Sequence, residues 1–145
     1  VSLSMAMKNI VTVRPAHSED IPAIIELITP FVDEGTVLSR TYSELDELLP
    51  SFFVAVEAND LLGCVVLEIY SPKLAEIRSL AVARSAQGKG IGRMLVDACV
   101  ERAKEMNILE VMAITSADGF FQSCGFDYTL PGAKRALFLI TKEKN

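Results

Sequence analysis

The chain has 145 residues, half of them apolar, and a formal net charge of −5. This length is enough for one domain with a hydrophobic core of its own, and the acidic balance disfavours a nucleic-acid partner because both would be negatively charged. The apolar runs are too short to span a bilayer, so no membrane partner is expected either.

The first half of the chain predicts one strand and two helices. Residues 1–9 lack the basic region and long apolar core of a signal peptide, so we expect an N-terminal extension, which could be disordered, before a single domain over residues 10–145. Ser18 and Ser43 are suitable N-caps, and Pro30 is expected to end the first helix. In chain order, the predicted elements are a strand over Ile10–Arg14, a helix over Glu19–Thr29, a loop over Phe31–Arg40 and a helix over Glu44–Leu49.

The second half predicts most of the sheet. The predicted strands are Phe52–Val56, Leu61–Tyr70, Leu74–Ala83, Ile108–Thr115, a segment near Tyr128 and Arg135–Thr141, and the predicted helices are Ile91–Met106 and Asp118–Ser123. Ile108–Thr115 lacks strict alternation, which indicates a central strand covered on both faces. This order of elements predicts an α+β fold with a mixed central β-sheet flanked by helices.

A glycine-rich loop joins the strand that ends at Ala83 to the helix that begins at Ile91. Its sequence is Gln87-Gly88-Lys89-Gly90-Ile91-Gly92, and its glycines expose main-chain N–H groups at the positive end of the helix. Such groups bind phosphate or pyrophosphate. The spacing fits neither the G-x-G-x-x-G dinucleotide motif nor the Walker motif. The alternative is a glycine turn that only reverses the chain.

The loop and the strand before it resemble the acetyl-CoA pyrophosphate loop of the GNAT family of N-acetyltransferases. The family signature is Gln or Arg, two residues, Gly, one residue, then Gly or Ala, and the loop matches it at every position. The resemblance implies the GNAT fold and acetyl-CoA as cosubstrate. It implies that the pyrophosphate is held by Gln87, Gly88, Lys89, Gly90, Ile91, Gly92 and Arg93. It also implies that the main chain of Leu80, Ala81 and Val82 binds the pantetheine arm, and that an N–H group near Leu80 or Ala81 polarises the thioester carbonyl.

Glu76 occupies the strand position where many GNAT enzymes carry their general base. A carboxylate there can take the proton of the acceptor ammonium, directly or through a water molecule. The alternative is structural, because Glu76 and Arg78 lie two residues apart on one strand and project from the same face, where they could form an ion pair.

The proton donor for the leaving thiolate is not evident from the sequence. Phe121 stands where many family members have a tyrosine; Cys124, Tyr128, Ser116 and solvent are the nearby candidates. Cys64, Cys99 and Cys124 form no C-x-x-C motif, which favours core thiols in a reducing, cytoplasmic setting. The single histidine, His17, argues against a metal site or a Ser-His-Asp triad, so no metal cofactor is expected.

A narrower resemblance lies outside the loop. The segments that carry it are Val13–Ala16, Asp20–Ile24, Glu34–Arg40, Glu76–Arg78 and Ser116–Gln122. Together they resemble the acetyltransferase domain of the N-acetylglutamate synthases, in its short stand-alone form, which acetylates L-glutamate in arginine biosynthesis. The resemblance implies that Leu38, Arg40 and Arg78 contact the substrate. Lys142 stands where the family has arginine, and Phe138 replaces a common tyrosine. Cationic side chains suit a dicarboxylate substrate, although Arg40 as an exposed loop residue is the alternative.

Two other functions stay open on the sequence alone. The enzyme could acetylate a different amine, such as a protein N-terminus, a lysine or a polyamine. The acidic chain would attract a polyamine, whereas Arg40, Arg78 and Lys142 would repel it locally. A catalytically weak acetyl-CoA sensor is the other possibility, which Phe121 favours and Glu76 opposes. The sequence also leaves a homodimer open.

Overall fold

The computed structural model describes residues 10–129, 132 and 135–142, so the expected extension over residues 1–9 lies outside the described part. Its contacts divide the chain into a larger unit that ends at Thr115 and a smaller one that begins at Ser116. The strands of the larger unit are β1 Val11–Pro15, β2 Phe52–Glu57, β3 Asp60–Ser71, β4 Leu74–Val82 and β5 Glu110–Met112. Its helices are α1 Ile21–Asp33, α2 Tyr42–Leu48 and α3 Ile91–Glu105, and the smaller unit has α4 Asp118–Ser123.

The described strands form one mixed sheet in the order β1-β2-β3-β4-β5. The first four are antiparallel, and β5 runs parallel to β4, to which α3 connects it. In the part of the chain that the structure covers, no helix is long and apolar enough to cross a membrane. The arrangement confirms the predicted α+β fold with a mixed central sheet and flanking helices.

The two faces of the sheet pack against different helices. On one face, alternate strand residues join α1 and α2 in the core, which includes Ile21, Ile24, Ile28, Leu45, Phe52, Val54, Cys64 and Val66. The intervening residues, such as the fully buried Val65, point to the other face, where Leu95 of α3 approaches Gly63 of β3. Strand β2 and the central part of β3 are therefore buried on both faces, which explains the continuous apolar runs in their sequences.

The first half of the fold differs from the prediction at its helix ends. Ser18–Asp20 is a 3₁₀ turn, so the helix begins two residues later than predicted. It also continues through Pro30, because the lost hydrogen bond is offset when Phe31 and Val32 pack against the core. The N-cap of α2 is Thr41 rather than Ser43. Thr41 Oγ1 accepts from the main-chain N–H of Glu44, whose carboxylate accepts from the N–H of Thr41.

The second half differs at the last strands. The predicted central strand over Ile108–Thr115 is reduced to β5, and among the described residues it is the edge strand of the sheet. The predictions of a strand near Tyr128 and of another over Arg135–Thr141 are wrong, because both segments are irregular and exposed in the described part. Apolar residues such as Leu137, which is 93% exposed, gave these segments a strand-like pattern that tertiary contacts do not support.

Gly63 permits close packing between β3 and α3. A Cβ atom at this position would lie 2.9 Å from Leu95 Cδ1, 3.1 Å from the carbonyl oxygen of Ala81 and 3.3 Å from Ile91 Cγ2. The Ala81 oxygen belongs to the main chain of β4 and cannot rotate away. Since Ile91 begins α3, this glycine sets the distance between the sheet and the helix that carries the glycine loop.

We expect Gly63→Ala to lower the free energy of unfolding by about 1–3 kcal/mol, the usual cost of overpacking. Urea denaturation measures the change. The matched control is Gly119→Ala, because a Cβ atom at Gly119 would meet nothing within 4 Å. Equal stability of the two variants would show that β3 and α3 do not need this close approach.

Candidate acetyltransferase site

The glycine loop forms an open anion site at the start of α3. Gly88 and Gly90 have φ angles of +83° and +79°, and a Cβ atom at either would meet nothing within 4 Å. Gly90 is the N-cap of α3 and provides no side-chain cap, so the first N–H groups of this helix remain available. The loop can therefore hold a pyrophosphate by main-chain hydrogen bonds and the helix dipole.

The other predicted loop residues surround these N–H groups. Lys89 and Arg93 are exposed, where their charges can reach a phosphate group. The side chain of Gln87 makes a contact of its own, since its Nε2 donates to the carbonyl oxygen of Val82 at 3.1 Å. This hydrogen bond ties the loop to the end of β4 and thus to the strand predicted to bind pantetheine.

A β-bulge interrupts β4 just before the loop. Val66 pairs with Arg78 and Cys64 with Ala81, so two residues of β4, Ser79 and Leu80, face a single residue of β3. Ser79 has a φ angle of +53°, which is unusual for a residue other than glycine. Bulges leave main-chain groups unpaired, so this one can turn an N–H group of β4 away from the ladder.

Glu76 lies next to a second carboxylate, that of Glu68. The two residues are directly opposite each other on β4 and β3, and only 7% of Glu76 is exposed. Like charges at such positions repel. The repulsion is relieved by Tyr70, whose Oη donates to Glu76 Oε1 at 2.6 Å and lies 3.1 Å from Glu68 Oε2.

Both predicted arginines contact Glu68 rather than Glu76. Arg40 Nη2 lies 2.8 Å from Glu68 Oε1, and Arg78 Nη1 lies 3.6 Å from Glu68 Oε2. The ion pair considered for Arg78 is thus made with Glu68. Burial alone would raise the pKa of Glu68, but the ion pair with Arg40, the Tyr70 hydroxyl and the charge of Arg78 together lower it. Glu68 is therefore ionised at neutral pH.

The side chain of Arg40 is largely buried and reaches the bulge. Its side chain is only 8% exposed, so the alternative of an exposed loop arginine is wrong. Its Nε donates to Ser79 Oγ at 3.1 Å. Its Nη2, although close to Glu68, makes no well-aligned hydrogen bond and is buried. Contacts with Glu68 and Ser79 thus fix the position of the Arg40 side chain.

An open cavity of about 400 Å³ lies between α2 and β3, beside this cluster. Arg40, Glu68 and Tyr70 line its inner side, and the exposed residues Glu44 and Glu47 of α2 line the outer side. The cavity thus connects solvent with the side chains around Glu76. Its lining contains three carboxylates and one guanidinium group.

The two other predicted substrate residues are exposed. Leu38 is 58% exposed in the loop between α1 and α2. Lys142 is an exposed residue of the smaller unit. In that unit Phe121 is buried between Phe120 and Phe126, with ring centroids 5.1 and 5.3 Å away, and the Tyr128 hydroxyl donates to Asp118.

The cysteines of the larger unit are inert. Burial raises the pKa of Cys64 and of Cys99 to about 12, so both remain thiols. Cys64 Sγ donates to the carbonyl oxygen of Ser79 at 3.3 Å and thereby supports the bulge. Among the described residues, no group of three or more His, Cys, Asp or Glu side chains could hold a metal ion.

Sequence reasoning missed Glu68, Tyr70 and Ser79. Glu68 and Tyr70 are two residues apart on a predicted strand, so a shared face could have been read from the sequence. Their position opposite Glu76 could not, because it depends on the register between β3 and β4. Nothing in the sequence marks Ser79 as the left-handed residue of a bulge.

Comparisons with known proteins agree with this fold. The model of the acetyltransferase (GNAT) family matches residues 21–126. An uncharacterized N-acetyltransferase of Chlorobaculum tepidum is 38% identical over 114 residues, which is 79% of this chain and 74% of that protein. An amino-acid acetyltransferase of Neisseria meningitidis is 31% identical over 87% of this chain, but the match spans only 29% of its own length.

One structurally similar protein has been solved with ligands bound. The N-acetylglutamate synthase of Neisseria gonorrhoeae, complexed with coenzyme A and N-acetyl-glutamate, superposes with a TM-score of 0.73 at 30% identity. The superposition covers 79% of this chain and 27% of that one. The fold, the glycine loop and the family match lead to one conclusion: the chain belongs to the GNAT family of acetyl-CoA-dependent N-acetyltransferases.

Proposed function

We propose that the chain transfers the acetyl group of acetyl-CoA to the α-amine of L-glutamate by direct attack in a ternary complex. The reaction type is supported above all by the position of a buried carboxylate, that of Glu76. It lies on the strand that leads through a bulge into the glycine loop at the start of α3. The amino-acid acceptor is supported by the relatives, since one is an amino-acid acetyltransferase and another was solved with N-acetyl-glutamate.

In this proposal the main chain holds the cosubstrate. The loop from Gln87 to Arg93 binds the pyrophosphate, and Leu80, Ala81 and Val82 bind the pantetheine arm. An N–H group of Leu80, which lies in the bulge, or of Ala81 donates to the thioester oxygen and stabilises the negative charge that develops there. Glu76 removes the ammonium proton, so that the neutral amine can attack.

The proposed glutamate contacts centre on Arg40. Arg40 lines the open cavity, and a carboxylate oxygen is the acceptor that a guanidinium group favours. Because Glu68 and Ser79 hold the side chain in place, little rotamer entropy is lost when a substrate binds. Leu38, Arg78 and Lys142 stay proposed substrate contacts.

A cationic amine is a second candidate acceptor, which the charge of the cavity favours. Three carboxylates line the cavity, and Glu68 already pairs with Arg40 and Arg78. The two arginines therefore repel a polyamine less than their number suggests. Glu44 and Glu47 could attract a second ammonium group near the cavity mouth.

Release of CoA from acetyl-CoA with a panel of amines tests these acceptors. The panel contains L-glutamate, L-glutamine, L-lysine, spermidine and a peptide with a free N-terminus. Turnover with glutamate at the highest kcat/KM supports the proposal, and a preference for lysine or spermidine supports the cationic acceptor. Tight binding of acetyl-CoA without turnover on any amine would contradict both and indicate a sensor.

We expect Arg40→Ala to raise the KM for glutamate by about 10- to 100-fold, the loss of a charge-assisted hydrogen bond. The KM for acetyl-CoA should not change, since the glycine loop is untouched. Ser79→Ala, which removes only the Nε contact, should give a smaller effect in the same direction. The matched control is Arg84→Ala, because Arg84 forms an exposed ion pair with Glu34. Equal KM values in the Arg40 and Arg84 variants would exclude Arg40 from the acceptor site.

A further inference from the structure

A general base must lose the proton that it collects before the next turnover. Glu76 is only 7% exposed, so its carboxylate has little direct contact with water. Its hydrogen-bond partner Tyr70 is 51% exposed and lines the open cavity. The tyrosine hydroxyl therefore lies between the buried carboxylate and solvent.

The same hydroxyl is within hydrogen-bonding distance of two carboxylates. It lies 2.6 Å from Glu76 Oε1 and 3.1 Å from Glu68 Oε2, but it has a single proton to donate. When Glu76 is ionised, the proton points to Glu76, which is the shorter contact. When Glu76 is protonated, Glu76 becomes a donor and the tyrosine oxygen can accept from it.

From this arrangement we propose that Tyr70 carries the substrate proton from Glu76 to solvent, a role that rests on Glu76 being the base. The O–H bond of protonated Glu76 breaks as its proton moves to Tyr70 Oη. The original Tyr70 proton moves at the same time to Glu68 Oε2 or to a water molecule in the cavity. Two O–H bonds break and two form, and Tyr70 is neutral before and after the transfer.

The charges around Tyr70 fit this role. Burial and the hydrogen bond to Glu76 raise the pKa of Tyr70 to about 12, so the hydroxyl keeps a proton to pass on. The charged groups around it are Glu76, Glu68 with its paired Arg40 and Arg78, and the two carboxylates of α2 that line the same cavity, Glu44 and Glu47. Because Arg40 and Arg78 favour ionised Glu68, a proton received there moves on to water.

Tyr70→Phe tests the proposal, since it removes the hydroxyl and keeps the ring. We expect kcat to fall roughly tenfold or more, which is less than the ~100-fold or more that a direct acid–base group contributes, with unchanged KM for acetyl-CoA. Imidazole, a small diffusible proton carrier, should restore part of the lost rate. The matched control is Tyr42→Phe, because Tyr42 is a tyrosine of similar exposure, 56%, and should respond neither to the substitution nor to imidazole.

Three outcomes separate this proposal from the proposed function. Absence of turnover by the wild-type protein on every amine in the panel would overturn both. A wild-type rate in Tyr70→Phe, or a loss that imidazole does not rescue, would overturn only the proton path.

A second variant, Tyr70→His, tests the proton path if a thermal melt shows that Tyr70→Phe is not folded. The histidine ring can carry a proton, so we expect a rate within about fivefold of wild type. A folded Tyr70→His variant slowed tenfold or more would overturn the proposal.

Discussion

Glu76→Gln is expected to lower kcat for acetyl transfer by about 100- to 1,000-fold at neutral pH, the range of a lost general base. The amide has the shape of the carboxylate and can still accept the Tyr70 hydrogen bond, but it cannot take a proton from the ammonium. As the pH rises towards the pKa of the acceptor amine, the deficit should shrink, because the free amine then forms without help. Steady-state rates over this pH range measure both effects.

The control for this variant is Glu57→Gln. Glu57 ends β2 and pairs with Val11 and Asp60, at the other end of β3 from Glu68, the residue opposite Glu76. It undergoes the same chemical change and should retain the wild-type rate. If Glu76→Gln and Glu57→Gln had the same pH–rate profile, Glu76 could not be the base, and the acceptor amine would have to lose its proton in solution.

Gly90→Asp is expected to weaken acetyl-CoA binding at least 100-fold, or about 3 kcal/mol. Asp is a good N-cap, so its carboxylate would accept from the same N–H groups of α3 that are proposed to bind the pyrophosphate. It would also repel the phosphate charge. Isothermal titration with acetyl-CoA measures the loss directly, without turnover.

Gly35→Asp is a close control for that experiment. Gly35 has the same φ angle of +79° as Gly90, and a Cβ atom there would also meet nothing within 4 Å. Both variants therefore carry the same backbone strain and the same added charge. Acetyl-CoA affinity that falls equally in both would mean that net charge, rather than the loop, controls binding.

The sequence predicts those parts of the site that depend on neighbouring residues. The loop from Gln87 to Gly92 could be identified because its glycines, its strand and its helix are adjacent in the chain. Glu76 could be placed on the strand for the same reason. The contacts between Arg40 and Ser79 and between Tyr70 and Glu76 could not be predicted, because they depend on how loops fold back and which strand residues face each other.

The elements of the fold also divide into those that the sequence predicts and those that it does not. Helices α1 and α3 and the first four strands were predicted because their apolar patterns are long and regular. The strand predicted over Ile108–Thr115 is too long and the one over Arg135–Thr141 is wrong, because short apolar runs are compatible with strand or loop until packing decides. The smaller unit contains both wrong strand predictions and the three side chains that are candidates for the thiolate donor, Ser116, Cys124 and Tyr128.

The matching order of strands in the sheet and in the chain has a consequence for folding. Strands β2, β3 and β4 follow one another through two-residue turns, so their pairing closes short loops at little entropic cost. Glu68, Tyr70 and Glu76 all belong to the hairpin of β3 and β4. The geometry around the proposed base is therefore encoded in the most local part of the sheet, whereas the parallel pairing of β5 must wait until α3 has crossed over.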